Sequence, residues 1–268
     1  MPSAQSWTSA LWGVEALRAR LVYYPPGLAH AAHSHDAPHV SVVVAGSFRE
    51  TTPRGEQIVC HGSIGFRADE ARHSVRFGPA GALILTVALD EWIGEGVPRA
   101  GVRWVGASEP FARELLLLAR RGGAQECDEL ADRLVALWTA RPRPDSSGSR
   151  TPPAWLRDAA EQLLSAPEVP IATLAARLGV HRVHLARSFV GHYGMAPSVF
   201  RRRAMASHAV SAALGGIRLA DAAAEAGFAD QSHMSRVVRE YCGVSAGELR
   251  RLFVREATSV QAGAAAIA

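Results

Sequence analysis

Apolar and polar positions follow one period in the first part of the chain and another in the rest. Between about residues 10 and 105 the pattern is that of short strands, clearest at Val40–Val44, Gln57–Cys60, His73–Phe77 and Leu83–Leu89. Thr52-Pro53-Arg54-Gly55 and Gly78-Pro79-Ala80-Gly81 predict turns between them. Many short strands at even spacing predict a small barrel or sandwich. From Glu109 the period lengthens. Residues 109–121 and 125–139 bring Leu115, Leu118, Leu130, Leu134 and Leu137 to helical spacing, with Gly122-Gly123 as the turn. Such a hairpin exposes an apolar stripe, which either covers one end of the barrel or pairs with its copy in a dimer.

Arg141 to Pro153 then carries four prolines and no apolar anchor, the composition of an extended tether. Beyond it the helical period returns, and a pattern occurs twice. Ile171-Ala172-Thr173-Leu174-Ala175-Ala176-Arg177-Leu178-Gly179-Val180 is echoed by Leu219-Ala220-Asp221-Ala222-Ala223-Ala224-Glu225-Ala226-Gly227-Phe228 at an offset of 48, and Gly194 answers Gly243 at 49. Two copies of one supersecondary unit are implied, each a helix stopped by glycine, a tight turn and a second helix. Glycine takes positive φ without a Cβ penalty, so the helix can stop sharply. Ala175 and Ala223 leave room for the helices to cross closely. In the second helix of each unit Leu185 and Phe189, or Met234 and Val238, face inward. That leaves Arg182, Val183, Ala186 and Arg187 outside in the first unit, and Gln231, Ser232, Ser235, Arg236 and Arg239 in the second. Arg suits guanine O6/N7 and Gln suits adenine N6/N7, so these are the candidate DNA-reading residues. Paired helical hairpins of this kind also occur in purely structural bundles.

Residues 155–252 resemble the DNA-binding domain of AraC/XylS-family bacterial transcription regulators. The match lies in Gly179-Val180-His181-Arg182-Val183-His184-Leu185-Ala186-Arg187-Ser188-Phe189, in Gly194-Met195-Ala196-Pro197, and in Ala226 to Arg236. It departs where the family usually has an aromatic at Met234 and Val238 and a proline at Ala246. The resemblance implies seven helices, with a long one at about 196–213 joining the two units. It also implies a cupin-like barrel followed by dimerising helices ahead of the DNA-binding domain.

Composition agrees. At 268 residues and 48% hydrophobic content the chain can fill two cores. The expected fold class is therefore α+β in two domains. A cupin-like β-barrel with a helical hairpin for sensing and dimerisation occupies 1–140, a linker 141–153, and an all-α domain with two helix-turn-helix units 154–256. Residues 257–268 form a tail expected to lack order. Residues 154–256 hold 13 Arg against 9 acids, whereas 1–140 hold 13 Arg against 15 acids, so the basic excess lies where phosphate would be met. Arg201-Arg202-Arg203 is either a solvated helix face or a phosphate contact. No apolar run approaches the roughly 20 residues a membrane helix needs, and no basic stretch precedes an apolar one at the N-terminus. Cys60, Cys127 and Cys242 are scattered and odd in number, which favours a reducing compartment over a disulfide framework. A bacterial cytoplasm is the expected location.

Histidine supplies the candidate sensor chemistry. His33 and His35 share a face if the chain is extended there, His39 follows four residues later, and His73 lies on a later strand with Val75 and Phe77. This resembles the cupin metal motifs, with His39 standing near the place of the family's usual glutamate. Three or four neutral imidazoles suit Zn, Ni, Cu or Fe. The same residues could instead contact an organic effector without metal, or only pack. His30 and His61 are expected to be bystanders, and a joint site of Cys60 and His61 is not expected.

The sequence thus predicts a non-enzymatic regulator, activator rather than repressor. Its partners would be double-stranded DNA, a small-molecule or metal effector, RNA polymerase and a second copy of the chain, with no membrane. The competing class is a metal-dependent cupin enzyme fused to a DNA-binding domain, for which no acid, base or nucleophile constellation is visible. A DNA-repair alkyl acceptor would need a cysteine in a basic setting, and none has one in sequence.

Overall fold

The computed structural model describes residues 7–14, 17–35, 38–67, 71–88, 102–106, 129, 133, 136 and 152–253. Eight antiparallel strands make the N-terminal part: β1 (Trp7–Val14), β2 (Leu17–Tyr24), β3 (Ala29–His33), β4 (His39–Thr52), β5 (Gly55–Cys60), β6 (Ser63–Arg67), β7 (His73–Ala88) and β8 (Val102–Gly106). The path through the sheet runs β1-β2-β7-β4-β6-β8, while β3 pairs with β7 and β5 with β4.

Residues 78–81, expected as a turn, lie inside the single long strand β7. They form a bend instead. The β4–β7 register shifts at Val43/Ala45 and Gly46/Phe48, opposite that segment. Gly46 has φ of 84°, and a Cβ there would sit 2.1 Å from the Gly81 carbonyl oxygen. Two glycine backbones therefore cross where no side chain fits, and both strands turn without breaking the ladder. The bend folds the sheet on itself, so Val43 and Ile84 before it join Phe48, Val75 and Phe77 beyond it in one inner cluster.

The outer face is equally apolar. Leu21, Tyr23, Val40, Val42, Val44, Ile64, Phe66, Leu83, Leu85 and Val87 are all buried in a second cluster. Strand β4 is buried on both faces from His39 to Phe48, which accounts for a continuous apolar run rather than strict alternation.

The C-terminal part is all helical: α1 (Ala154–Ser165), α2 (Ile171–Arg177), α3 (Arg182–Tyr193), α4 (Pro197–Leu214), α5 (Leu219–Glu225), α6 (Gln231–Cys242) and α7, residues 246–253. These seven helices contain the two predicted units, α2–α3 and α5–α6, joined by α4. Each unit turns in the same way. Gly179 N donates to Ala176 O and Val180 N to Ala175 O; Gly227 N donates to Ala224 O and Phe228 N to Ala223 O. Both glycines have positive φ. That pair of bonds satisfies two helix-end carbonyls each time. The second helices start on side-chain caps, His181 Nδ1 accepting from Val183 N at 3.3 Å and Asp230 Oδ1 from His233 N at 2.7 Å. Ser245 and Glu248 cap each other at the start of α7.

Of the predicted hairpin, Glu129, Arg133 and Ala136 are helical, and its other residues lie outside those described. So do the tail, Cys127 and most of the tether.

The two parts share a core. The buried face of α4, with Met205, Ala206, Ala209, Val210 and Ala213, lies in the same cluster as the outer face of the sheet, together with Met234, Val238, Tyr241 and Cys242 of α6. The alanines on α4 let its backbone approach the strands. Ser207 Oγ accepts from Gly46 N at 2.7 Å and donates to Arg203 O at 2.8 Å. Tyr23 and Ser211 hydroxyls bond at 2.6 Å, and Cys242 Sγ donates to Val44 O at 3.4 Å. The two parts thus meet in a direct, apolar and hydrogen-bonded contact.

Candidate functional site

The exposed side of α3 and α6, the candidate DNA-facing surface, follows from helix period and capping. Arg182, Val183 and Arg187 on α3 are exposed and Ala186 is half-buried, while Leu185 and Phe189 are fully buried beneath them. On α6, Gln231, Ser232, Arg236 and Arg239 are exposed and Ser235 is half-buried, above buried Met234, Val237 and Val238. Arg239 also pairs with Glu248 at 3.4 Å. The hydrogen bonds of Ser245 chiefly hold the Glu248 carboxyl down at about 2, so it is charged at neutral pH. Arg201-Arg202-Arg203 is not one face. Arg202 is exposed, Arg201 reaches Val169 O at 3.4 Å, and Arg203 is buried against the sheet, donating to His61 O at 3.1 Å and lying over the Tyr241 ring. Burial removes Arg203 from any phosphate.

The second site is a cavity of about 570 Å³ within the folded sheet. Five of the eleven histidines line it, His30, His33, His35, His39 and His73, together with Arg20 and Arg67. Strand pairing explains the convergence: β3 runs beside β7 with His33 directly opposite His73, and the chain beyond β3 carries His35 to their side. Ligand nitrogens of His33, His35 and His73 lie within 4.8 Å of one another. His39 is the next ring, 4.6 Å from His35 between centroids and outside that trio.

His33 Nδ1 lies 2.8 Å from Ala31 O and His73 Nδ1 3.0 Å from Ala71 O. A carbonyl can only accept, so both Nδ1 atoms donate and both Nε2 lone pairs are free to ligate. Burial, with Arg67 and His33 nearby, pushes His73 down to about 4, so it is neutral at physiological pH. Imidazole ligands fit Zn, Ni, Cu or Fe and fit Mg or Ca poorly. His30, expected as a bystander, belongs to the cavity wall, edge-on to Tyr24, Phe77 and His33. A His with apolar neighbours in sequence gives no signal that its strand borders a pocket.

Beneath the histidines, Glu50 is wholly buried. Its Oε2 accepts from Trp104 Nε1 at 2.6 Å and Gln57 Nε2 at 3.1 Å, and its Oε1 lies 2.6 Å from Arg67 Nη2. That last contact is an ion pair without hydrogen-bond alignment, and Arg67 Nη1 has no hydrogen-bond partner at all. The sequence reading missed Glu50 and Arg67, because Arg67 pairs with His39 and Glu50 with Gln57 and Val75, so the two meet only across the folded sheet.

His61, also expected to be a bystander, is buried at the contact between the two parts, 5.4 Å from the Tyr241 ring. Burial and the Arg203 charge push it down to about 3, and neither ring nitrogen has a well-formed hydrogen bond. Burial also raises the thiols, Cys60 to about 11 and Cys242 to about 12. Neither is a thiolate at neutral pH, so neither has the chemistry of an alkyl acceptor.

Residues 156–252 match the helix-turn-helix domain family. No curated protein sequence matches the chain significantly. Among solved structures, ToxT from Vibrio cholerae aligns over 89% of this chain and 99% of its own, at 10% identity and a TM-score of 0.39. The AraC-like transcriptional activator CuxR aligns over 72% of this chain and 76% of its own, at 18% identity and a TM-score of 0.36. An RmlC-like cupin from Shewanella frigidimarina covers 34% of this chain and 82% of its own, at 17% identity and a TM-score of 0.30. Among the described residues no helix is long and apolar enough to cross a membrane.

Proposed function

Residues 156–252 are a helix-turn-helix DNA-binding domain of the AraC type, and from that premise we propose that the chain is a one-component transcription regulator sensing a small molecule or metal ion in the histidine-lined cavity. One observation carries this. The same strands that wall the cavity on their inner face are buried against α4 and α6 on their outer face. Val22 and Tyr24 of β2 point to the cavity while Leu21 and Tyr23 point to the helices. Packed interiors transmit displacement because no slack is available. A ligand that shifts these strands therefore bears on the helix joining the two DNA-reading units.

In this reading Arg182, Val183, Ala186 and Arg187, with Gln231, Ser232, Ser235, Arg236 and Arg239, meet the major groove and its phosphates. His33, His35 and His73 would hold a divalent transition metal, with His39 beside them; the ion would supply a Lewis-acidic point to which an effector could bind. The reading includes a homodimer through residues 109–139, contact with RNA polymerase, activation rather than repression, and a bacterial cytoplasm.

Selection of bound fragments from random-sequence DNA by the full chain is the direct test. An enriched sequence is expected, and its absence sinks the regulator. For the sensor, metal content of untagged protein is compared with His33→Ala/His35→Ala. Stoichiometric metal lost in the variant, with DNA binding changed on removing the ion, makes the cavity a metal sensor. Metal-free protein leaves an organic effector. The donor set beside an accessible cavity would equally serve a metal-dependent cupin enzyme. That reading gains only if metal-loaded protein turns over a cavity-sized compound while DNA occupancy does not respond.

A further inference from the structure

We infer that the two recognition helices divide the chemistry of the DNA site between them: α3 reads thymine by its C5-methyl group, through Val183 and Ala186, whereas α6 reads hydrogen-bonding base edges. The inference rests on the regulator reading and names what one of its two units recognises.

The two helices can be compared residue by residue. α3 and α6 have twelve residues each, begin on a side-chain cap and end on a glycine in the left-handed region. Buried Leu185 and Phe189 occupy the places of Met234 and Val238. The outward positions then fall into pairs: Val183 with Ser232, Ala186 with Ser235, Arg187 with Arg236, and Val190 with Arg239. One pair is alike, an arginine on each helix. In the other three an apolar side chain on α3 stands where α6 has a hydroxyl or a guanidinium.

Those three apolar residues form a stripe, since positions i, i+3 and i+7 share one helix face. Among the described residues, Val183 and Val190 are the exposed large hydrophobics, at 44% and 51%. Neither belongs to the core beneath α3. A β-branched residue at an exposed helical position loses rotamer freedom and favours the helix less than alanine or arginine would. The stripe therefore weakens the helix slightly and adds nothing to its packing.

Its setting says what covers it. Exposed Arg182 and Arg187 flank Val183 on the same helix, in a domain of the helix-turn-helix family. A protein partner seated on Val183 would have to desolvate both guanidiniums, whereas a DNA groove supplies phosphates and base acceptors for them. The N-terminal residues of a recognition helix are the ones that reach base edges, and Val183 is the second residue of α3, one turn before Ala186. On the major-groove edges of the four base pairs, the thymine C5-methyl is the group that apolar side chains contact. Ser232 and Ser235 offer hydroxyls instead, which donate to or accept from a base edge and gain little from a methyl.

The experiment uses the full chain and the DNA sequence that it enriches from a random pool. The half of the site read by each unit is assigned by the positions at which Arg187→Ala or Arg236→Ala relaxes base preference. Each thymine is then replaced singly by deoxyuridine, which keeps every hydrogen-bonding group and loses only the methyl, and binding is measured by fluorescence anisotropy. At least one thymine in the Arg187 half is expected to lose affinity by about three- to fivefold, the factor that one buried methyl group is worth. No replacement in the Arg236 half is expected to match it. In Val183→Ser, which gives α3 the residue of α6 at that exposed position, the thymine and deoxyuridine duplexes are expected to bind alike, at the affinity of wild type for the deoxyuridine duplex. An Arg187 half without thymine, replacements that are neutral there, equal sensitivity in both halves, or a sensitivity unchanged in Val183→Ser overturns the inference and leaves the regulator standing. Failure to enrich any sequence sinks the regulator reading and this inference with it.

Discussion

The two helix-turn-helix units repeat one pattern, yet they rest on different foundations. The first sits on a core of its own. Leu174, Ala175, Leu185 and Phe189 are buried with Leu156, Ala159, Ala160 and Leu163 of α1 and Phe200 of α4. The second has no separate core, since Ala222, Ala223, Met234, Val237, Val238 and Tyr241 continue into the outer face of the sheet. Contact between this core and the strands includes the exposed ion pair of Arg49 with Glu161 of α1 and the packing of Cys60. Units of the same local geometry therefore differ in their contact with the strands that wall the cavity. The second unit shares the core of the sheet, and the first reaches it through α4.

The strongest way to break that asymmetry is to empty one core. Phe189→Ala removes the largest fully buried side chain of the first unit and is expected to cost about 3–5 kcal/mol. Denaturant unfolding should then show the first unit lost early while the folded sheet and its cavity survive. A single concerted transition that also unfolds the sheet would mean that the first unit is as tightly joined to the sensor as the second.

Acid should act on the other side. His61 is neutral when folded, down at about 3 against an ordinary 6.5. Above 6.5 it is uncharged in both states and contributes no pH dependence. Between 6.5 and 3 the unfolded chain binds a proton that the folded chain refuses, so stability falls with pH by up to about 1.4 kcal/mol per unit. Arg203 faces His61 and adds repulsion, and the Tyr241 ring packs against both. His73 titrates over part of the same window, so the test is differential: melting curves of His61→Phe should be flatter than wild type from pH 6.5 downward, and unchanged slopes would sink the assignment.

Replacing one reading residue in each unit compares them on DNA. Arg187→Ala and Arg236→Ala should each weaken specific binding by about 1–3 kcal/mol. If cavity ligands act mainly through the second unit, ligand dependence should persist in Arg187→Ala and diminish in Arg236→Ala. Equal losses on specific and random DNA would make both residues phosphate contacts.

The link between sheet and α4 rests in part on one hydrogen bond. Ser207→Ala leaves the Gly46 amide without its acceptor, which is expected to cost about 1–3 kcal/mol in stability. The more telling readout is the response of DNA occupancy to ligand, which should shrink relative to wild type if coupling runs through this bond.

Much of this was legible in the chain because it is local. A helix stop at Gly179 or Gly227 needs only positive φ and two backbone bonds within six residues. The inward positions of α3 and α6 follow from period alone. The His33/His35 pair was visible for the same reason. Gly78 to Gly81, by contrast, has the composition of a turn and forms a bend within β7, because Gly46 from another strand meets it there. Arg203 carries the signature of a phosphate-binding run and is buried by a sheet more than a hundred residues away.

The sequence by itself determined the repeated unit, its stops, its outward faces and the histidine cluster, since each depends on spacings of a few residues and on intrinsic backbone preference. Tertiary structure decided the rest: that β3 lies against β7 and completes the three-imidazole set, that Glu50 stands behind Arg67, and that the sheet and the second helix-turn-helix unit share one core. Those outcomes depend on which distant strand faces which. Non-local pairing is chosen by the total burial of the whole chain, and no short window of sequence records that sum.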